Sequence, residues 1–489
     1  MSENNTNSKN LGKVIKIAIS VALFLFFWIA PSSLYGLPDI SIVEQRVIAV
    51  FAFAFAMWVT EAVPSWTTSV LIVVILLLTC SNGAISFLKE GDGVREIGTL
   101  IGYKGIMAAF ADPTIMLFLG GFVIAAIASK MGVDVQLAKG LLKLFGRRSE
   151  FVLLGFLLVT GLFSMFISNT ATAAMMLTFM APVLRQLPVD GKGRIGLAMA
   201  IPIGANIGGI ATPIGTPPNA IALKFLNDAE GLDMGIGFGD WFLVMFPYTI
   251  VMLLIAWGLL LLFFPFKQKT IELHIEGETK KGWQLTVTYI TMAVTILLWM
   301  LDKLTGLNAN IVAMIPIAIY CITGIFTKDD LKVLNWSVLW LVAGGFALGT
   351  ALYETGLDKH LVAAIPFASW SPLIVVIGAT LVCWMVSNVI SHTAAANLLI
   401  PVMVTLATGM RQMLEPLGGA GTLLLCVTLA SSLAMVLPIS TPPNAIAYST
   451  GMIQVKDMEK VGVIIGVIGL VLAVGMLVIV GKAGYWSIH

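Results

Sequence analysis

Residues 216–222 read Thr-Pro-Pro-Asn-Ala-Ile-Ala, and residues 441–447 repeat those seven residues. Each copy sits in a long apolar stretch. Its paired prolines remove two backbone donors and push the preceding threonine out of helical geometry, so the helix must unwind there. Two shorter matches accompany it: Gly120-Gly121-Phe122 with Gly344-Gly345-Phe346, and Ser168-Asn169-Thr170 with Ser391-His392-Thr393. All three pairs keep the same order and lie 223 to 225 residues apart, so the chain is two homologous halves.

Composition says where these halves reside. Of 489 residues, 58% are hydrophobic and 11% charged, against roughly 25% charged in a soluble protein. That excludes a soluble enzyme and a disordered chain, and leaves an all-α polytopic membrane protein. The net charge of +2 is scattered, which argues against a nucleic-acid partner. Cys80, Cys321, Cys383 and Cys426 have no paired spacing and read as small packing residues.

A span needs roughly 20 apolar residues, and about eleven stretches qualify. They are 14–31, 45–62, 66–82, 113–131, 195–226, 239–264, 284–302, 309–326, 335–353, 420–452 and 461–482. Residues 150–184 and 371–409 are each interrupted by a polar cluster and read as re-entrant hairpins. Lys9, Lys13 and Lys16 precede the first span, and no cleavage site follows it, so this is a helix and not a signal peptide. With the N-terminus inside, about two thirds of the 28 Lys and Arg fall on the cytoplasmic side, and the C-terminus lies outside. The expected organisation is 1–44 N-terminus and first span, 45–264 first repeat (hairpin 150–184, broken helix 195–226), 265–283 cytoplasmic linker, and 284–489 second repeat (hairpin 371–409, broken helix 420–452). An odd number of crossings separates matched elements, which makes the repeats inverted.

Inverted repeats with broken helices are a design of secondary transporters, whose site lies near the midplane between the repeats. Carbonyls freed around Ala211 to Gly215 and Leu437 to Ser440 offer oxygen to a hard cation, and helix N-termini at the hairpin tips offer N–H groups to an anion. Ser and Asn are also ordinary N-caps, but two tips and two breaks together point to a site. The apolar interiors contain almost no Lys or Arg, so an anion must be held by Asn, Thr, Ser, helix N-termini and bound cations.

At these residues the sequence resembles the divalent anion/sodium symporter family, carriers of di- and tricarboxylates and sometimes sulfate. The likeness runs from Thr60-Glu61-Ala62-Val63-Pro64 to the last span. It is carried by Ser168-Asn169-Thr170-Ala171-Thr172-Ala173, Gly215-Thr216-Pro217-Pro218-Asn219 and the second Thr-Pro-Pro-Asn. It implies a homodimer in a bacterial inner membrane, surrounded by lipid, in which a scaffold holds the dimer and a transport domain of hairpins and broken helices carries the site. By matching motif, Asn169 and Thr170 would contact one substrate carboxylate and Thr393 the other. Thr216 and Pro217, with Thr441 and Pro442, would border the substrate from the two breaks. Ser168 and Asn169 with backbone near Gly208, Gly209 and Ala211 would hold one Na+. Ser391 with backbone near Leu437 to Ser440 would hold a second.

His392 departs from the pattern, standing where many sodium-coupled members have Asn. Imidazole is a poor sodium ligand and can carry a proton. His392 therefore opens three roles: proton coupling, sodium-independent exchange, or a bond to nearby backbone while carbonyls hold the ion. His274, His360 and His489 are read as loop or tail residues. Glu61 is read as a capping or interfacial residue, and the twelve tryptophans as an interfacial belt. The glycines from 204 to 209 follow no strand and precede no Gly-Lys-Ser/Thr, so no phosphate loop is present. A hydrolase using Ser168 or Ser391 with His392 lacks a nearby carboxylate, and a channel would not need occluding hairpins. The sequence thus points to a carrier of small dicarboxylates.

Overall fold

Apolar runs account for the helices, and side-chain caps open several of them. The computed structural model describes residues 2–91, 93–188, 191–228, 231–272, 281–364 and 370–487, with side chains from residue 11 to residue 486. His274, Lys280 and His489 lie outside these residues, as does part of the linker. The fold is all-helical, and among the described residues 10 helices are long and apolar enough to cross a membrane, or 11 if a bent pair counts as one. Among the described residues there is no strand.

The N-terminal helix Ser2–Ile29 leads to Ile42–Thr60. The latter opens on a reciprocal cap: Ser41 Oγ accepts from Glu44 N at 3.3 Å, and Ser41 N donates to Glu44 Oε2 at 2.7 Å. It ends at Glu61, whose φ of 46° is left-handed, so Glu61 is a helix terminator as expected. His360 is not a loop residue: it lies in the helix Leu357–Ala364. Its Nδ1 is 2.5 Å from Oε1 of the buried Glu44.

The predicted hairpins are two helix pairs, Ser149–Ser164 with Asn169–Leu184, and Pro372–Val389 with His392–Gly409. The first pair has limbs of 16 residues, about 24 Å each, short of the roughly 30 Å hydrocarbon core. The second has limbs of 18 residues that are long and apolar enough to cross, so length alone does not make this pair re-entrant. The predicted broken helices are Lys192–Gly208 with Pro217–Asn227, and Ala420–Ser432 with Pro442–Ser449. Two span expectations need correction. Residues 309–326 form the short helices Ala309–Val312 and Met314–Ile322, and residues 66–82 form the 15-residue helix Ser65–Thr79.

Within each half the hairpin packs on the first limb of its own broken helix. The second limbs cross over: Pro217–Asn227 packs on His392–Gly409, and Pro442–Ser449 packs on Asn169–Leu184. Helices Pro113–Met131 and Trp336–Glu354 flank this body. Each is followed by a glycine in the left-handed region, Gly132 at φ 73° and Gly356 at φ 82°, which turns the chain into a short helix, Val133–Lys143 or Leu357–Ala364.

Where Ser149–Ser164 crosses Lys192–Gly208, two glycines let the backbones touch. A Cβ on Gly208 would collide with the backbone of Gly161. Gly208→Ala is therefore expected to cost on the order of 1–3 kcal/mol and to lower the melting temperature of the purified protein. Gly140→Ala, at a position facing open space, should melt like the parent.

Candidate functional site

Each half builds its tip and its break in the same way. At the tips, Ser168 Oγ accepts from Ala171 N and Ser391 Oγ accepts from Ala394 N, both at 3.3 Å, so each serine caps the following helix. This satisfies one of the unpaired donors of each first turn. At the breaks, Thr216 (φ −146°, ψ 142°) and Thr441 (φ −143°, ψ 148°) hold nearly the same extended conformation, and proline starts the next limb.

The asparagine of each Thr-Pro-Pro-Asn run folds back over its own break. Asn219 Nδ2 donates to the carbonyls of Gly209 (2.9 Å), Ile210 (3.2 Å) and Thr212 (2.8 Å). Asn444 Nδ2 donates to those of Met435 (2.9 Å) and Leu437 (3.0 Å). Several carbonyls expected to be bare are therefore occupied. Those of Thr212 and Leu437 each accept a second bond, from Gly215 N at 3.3 Å and from Ser440 N at 3.2 Å, which uses both acceptor positions. Ser440 Oγ donates to Asn388 O at 2.9 Å, and Thr212 Oγ1 donates to Met165 O. These bonds tie each break to its own hairpin.

Tips and breaks enclose one cavity of about 190 Å³. It brings together all eight residues expected to bind substrate: Asn169, Thr170, Thr216, Pro217, His392, Thr393, Thr441 and Pro442. Ser168 and Ser391 also line it. Gly208, Gly209, Ala211, Leu437 and Ser440 are not in its wall; Gly208 is taken up by the crossing with Gly161. The lining contains no Lys, Arg, Asp or Glu. Polar contacts come from tips and breaks, while the flanking helices contribute Phe118, Phe122, Val338 and Leu341, with Asn335 as their polar member.

Asn169 and His392, which match in the repeat, stand against matching places. Ser164 Oγ stands 2.5 Å from Asn169 Oδ1 and 2.8 Å from Ala205 O, and the Asn169 side chain lies against Gly209. His392 Nε2 lies 2.6 Å from Ala434 O, and Ala434 is the counterpart of Gly209. A carbonyl only accepts, so Nε2 carries the proton of that bond.

Sequence reasoning missed Asn206, Asn335 and the apolar wall. Asn335 had a readable signal. It is an N-cap, accepting from Val338 N at 3.4 Å, and it matches the N-cap Asp112 in the first half. Phe122, Ser168 and Asn335 also line a second space of about 450 Å³ that adjoins the cavity and contains Lys130, Asp134 and Asp330. Lys130 Nζ is 2.6 Å from Asp330 Oδ2. Burial pushes the Asp330 carboxyl up, but Lys130 and the bonds from Thr327 outweigh it and hold the group below its ordinary value.

Residues 55–423 match the family described as CitMHS, citrate transporter. An uncharacterized transporter of Schizosaccharomyces pombe is 31% identical over 86% of this chain, which spans about half (48%) of that relative. An uncharacterized transporter of Haemophilus influenzae is 30% identical over 88% of this chain and 90% of its own. A Caenorhabditis elegans protein named sodium-dependent high-affinity dicarboxylate transporter 3 is 29% identical over 85% of this chain and 80% of its own. Among solved structures, the YdaH transporter of Alcanivorax borkumensis shares the fold, with a TM-score of 0.57 at 13% identity over 86% of this chain and 99% of that one.

Asn219→Ala and Asn444→Ala each strip the donor from a buried break, at about 1–3 kcal/mol per carbonyl left short. Both variants should melt below the parent in detergent. A variant that melts like the parent would remove the asparagine from this role.

Proposed function

Because this chain belongs to the citrate transporter family CitMHS, we propose that it is a secondary active transporter of small dicarboxylates, coupled to sodium and working by an elevator-type alternation of access. Succinate, malate, fumarate and 2-oxoglutarate are of the class meant. One observation carries the reading: two tips and two breaks, one of each from either half, converge on a single polar cavity with no charged side chain. The name of the C. elegans relative supports both the substrate class and the ion.

In this reading Asn169 and Thr170 hold one carboxylate and Thr393 the other, with Thr216, Pro217, Thr441 and Pro442 closing the sides. The remaining first-turn N–H groups of Asn169–Leu184 and His392–Gly409 bring positive dipole ends to the anion. Each elementary charge moved across a membrane is worth about 2.3 kcal/mol per 100 mV, so sodium bound beside a dianion lowers the electrical barrier to its passage. The oxygens at hand, from Asn, Ser, Thr and backbone, suit a hard cation. The hydrogen bonds to substrate come almost wholly from tips and breaks, while the flanking helices offer an apolar wall. The substrate therefore travels with the first body and slides past the second. The halves act as inverted repeats, the N-terminus faces the cytoplasm, the Lys130–Asp330 space opens on that side, and a scaffold of the early and middle spans holds the chain in a homodimer.

His392 supports a second reading. It stands where the first half has Asn169, and its imidazole is bonded to Ala434 O. A tip built this way favours one sodium site fewer, or exchange of one dicarboxylate for another without sodium.

The ion pair of Lys224 with Asp112 supports alternation between two states. Lys224 Nζ is 2.9 Å from Asp112 Oδ2, 3.4 Å from Asp228 Oδ2 and 5.0 Å from the Phe346 ring centroid. Asp112 caps the end of Pro113–Met131 opposite Lys130, about 27 Å away by helix length. The repeat matches Asp112 with Asn335 and Lys224 with Ser449, so the second half has no such charges. The pair therefore latches one state alone. Asp112→Asn keeps the cap and removes the charge. It is expected to raise the alternative state's population by roughly tenfold, about 1.4 kcal/mol, read as a shift in the distance distribution between spin labels at Ile322 and Tyr448.

Purified protein in liposomes tests the transport reading. Labelled succinate uptake should follow an inward sodium gradient, fail with potassium, and vanish in Asn169→Ala and Thr170→Ala while both remain monodisperse. Unchanged uptake in both variants would remove the site. Uptake that needs internal dicarboxylate and ignores sodium would establish the exchanger.

A further inference from the structure

Asn206 is 1% exposed and forms part of the cavity wall, one turn before the first break. Its orientation follows from its neighbours. The carbonyls of Met435 and Leu437 can only accept, so they fix which end of Asn444 is Nδ2 and turn Asn444 Oδ1 toward Asn206. That oxygen requires a donor, and Asn206 Nδ2 supplies it at 3.1 Å while also reaching Thr441 Oγ1 at 3.2 Å. Asn206 Oδ1 is thereby turned away from the bridge, and no group among the described residues donates to it. A buried amide oxygen without a donor is costly, and ligand binding can recover that cost.

What fits this oxygen also has to suit an anion, since the cavity holds no charged side chain. Its lining near the first break supplies further oxygen from Ser168, Asn169, Gly215 and Thr216. An alkali cation satisfies the amide oxygen and the neighbouring carboxylate at once. We infer that Asn206 Oδ1 is a ligand of the coupling sodium, placed so that the cation bridges the first break to the substrate. The inference rests on the sodium-coupled reading above and adds to it a residue that joins the halves. The same amide that binds the ion through its oxygen holds Thr441 and Asn444 through its nitrogen. Cation binding in the first half thus steadies the substrate border contributed by the second.

The test uses the full-length protein in detergent without substrate, its melting temperature followed as NaCl replaces choline chloride at constant ionic strength. Sodium should stabilise the parent. Asn206→Ala should weaken the apparent sodium affinity by about tenfold or more. Asn206→Asp keeps an oxygen but loses the amide donors, and should bind sodium at least as tightly as the parent; it carries the test if the alanine variant does not purify. Equal losses of sodium affinity in both variants, or none in either, would leave Asn206 as a structural bridge and overturn the inference. So would unchanged sodium affinity with weakened binding of malate and unaltered binding of succinate, which would assign the oxygen to a substrate hydroxyl. A parent that sodium does not stabilise would instead overturn the sodium-coupled reading itself.

Discussion

Inside a bilayer an unwound stretch of backbone has no water to bond, and every open N–H and C=O must be answered by the protein. Asn219 and Asn444 meet that constraint, each bending its amide over the break its own motif creates. The prolines that open the helix and the asparagine that closes the wound stand within four residues, so the motif carries its own remedy. Without the remedy the limbs would have no fixed angle, and the threonines that begin the second limbs would have no fixed position. The cavity's shape is therefore downstream of two side-chain amides.

The electrostatic character of the site follows from the same choice. Unwinding two helices at one depth brings their ends and the hairpin tips together and so gathers partial charges in place of whole ones. Arginine would bind a carboxylate more strongly, but a fixed charge held at depth is costly and would have to move with its body. Partial charges from amides and hydroxyls add little of that cost when the anion is absent. The apolar face of Phe118, Phe122, Val338 and Leu341 makes few directional demands, which is compatible with the proposed elevator motion.

Much of this was legible in the residues. Paired prolines, two polar interruptions and a repeat offset of 223 to 225 residues located both helix pairs and both breaks, because each is a local rule about backbone geometry; the side chains expected at the substrate came from a family resemblance, and the fold gathers them around one cavity. What escaped depended on three-dimensional pairing. Asn206 reads as one polar residue in a glycine-rich helix, and only the folded bridge to Thr441 and Asn444 sets it apart. The wall residues look like any lipid-facing apolar run. The splitting of 309–326 into two short helices has no strong signal, since Pro316 sits near a helix start where proline is tolerated. His360 was misplaced because its partner, Glu44, lies 316 residues away.

The crossed packing of the second limbs has a consequence for how the protein is made. Pro217–Asn227 rests on His392–Gly409, and Pro442–Ser449 rests on Asn169–Leu184. A ribosome that has delivered the first half has inserted a hairpin and a broken helix whose mates are still unwritten. The first tip must wait in lipid or against the translocation machinery until some 270 more residues arrive. Each hairpin can settle on its own break early, but the cavity is completed late, when the second limbs meet their mates in the other half.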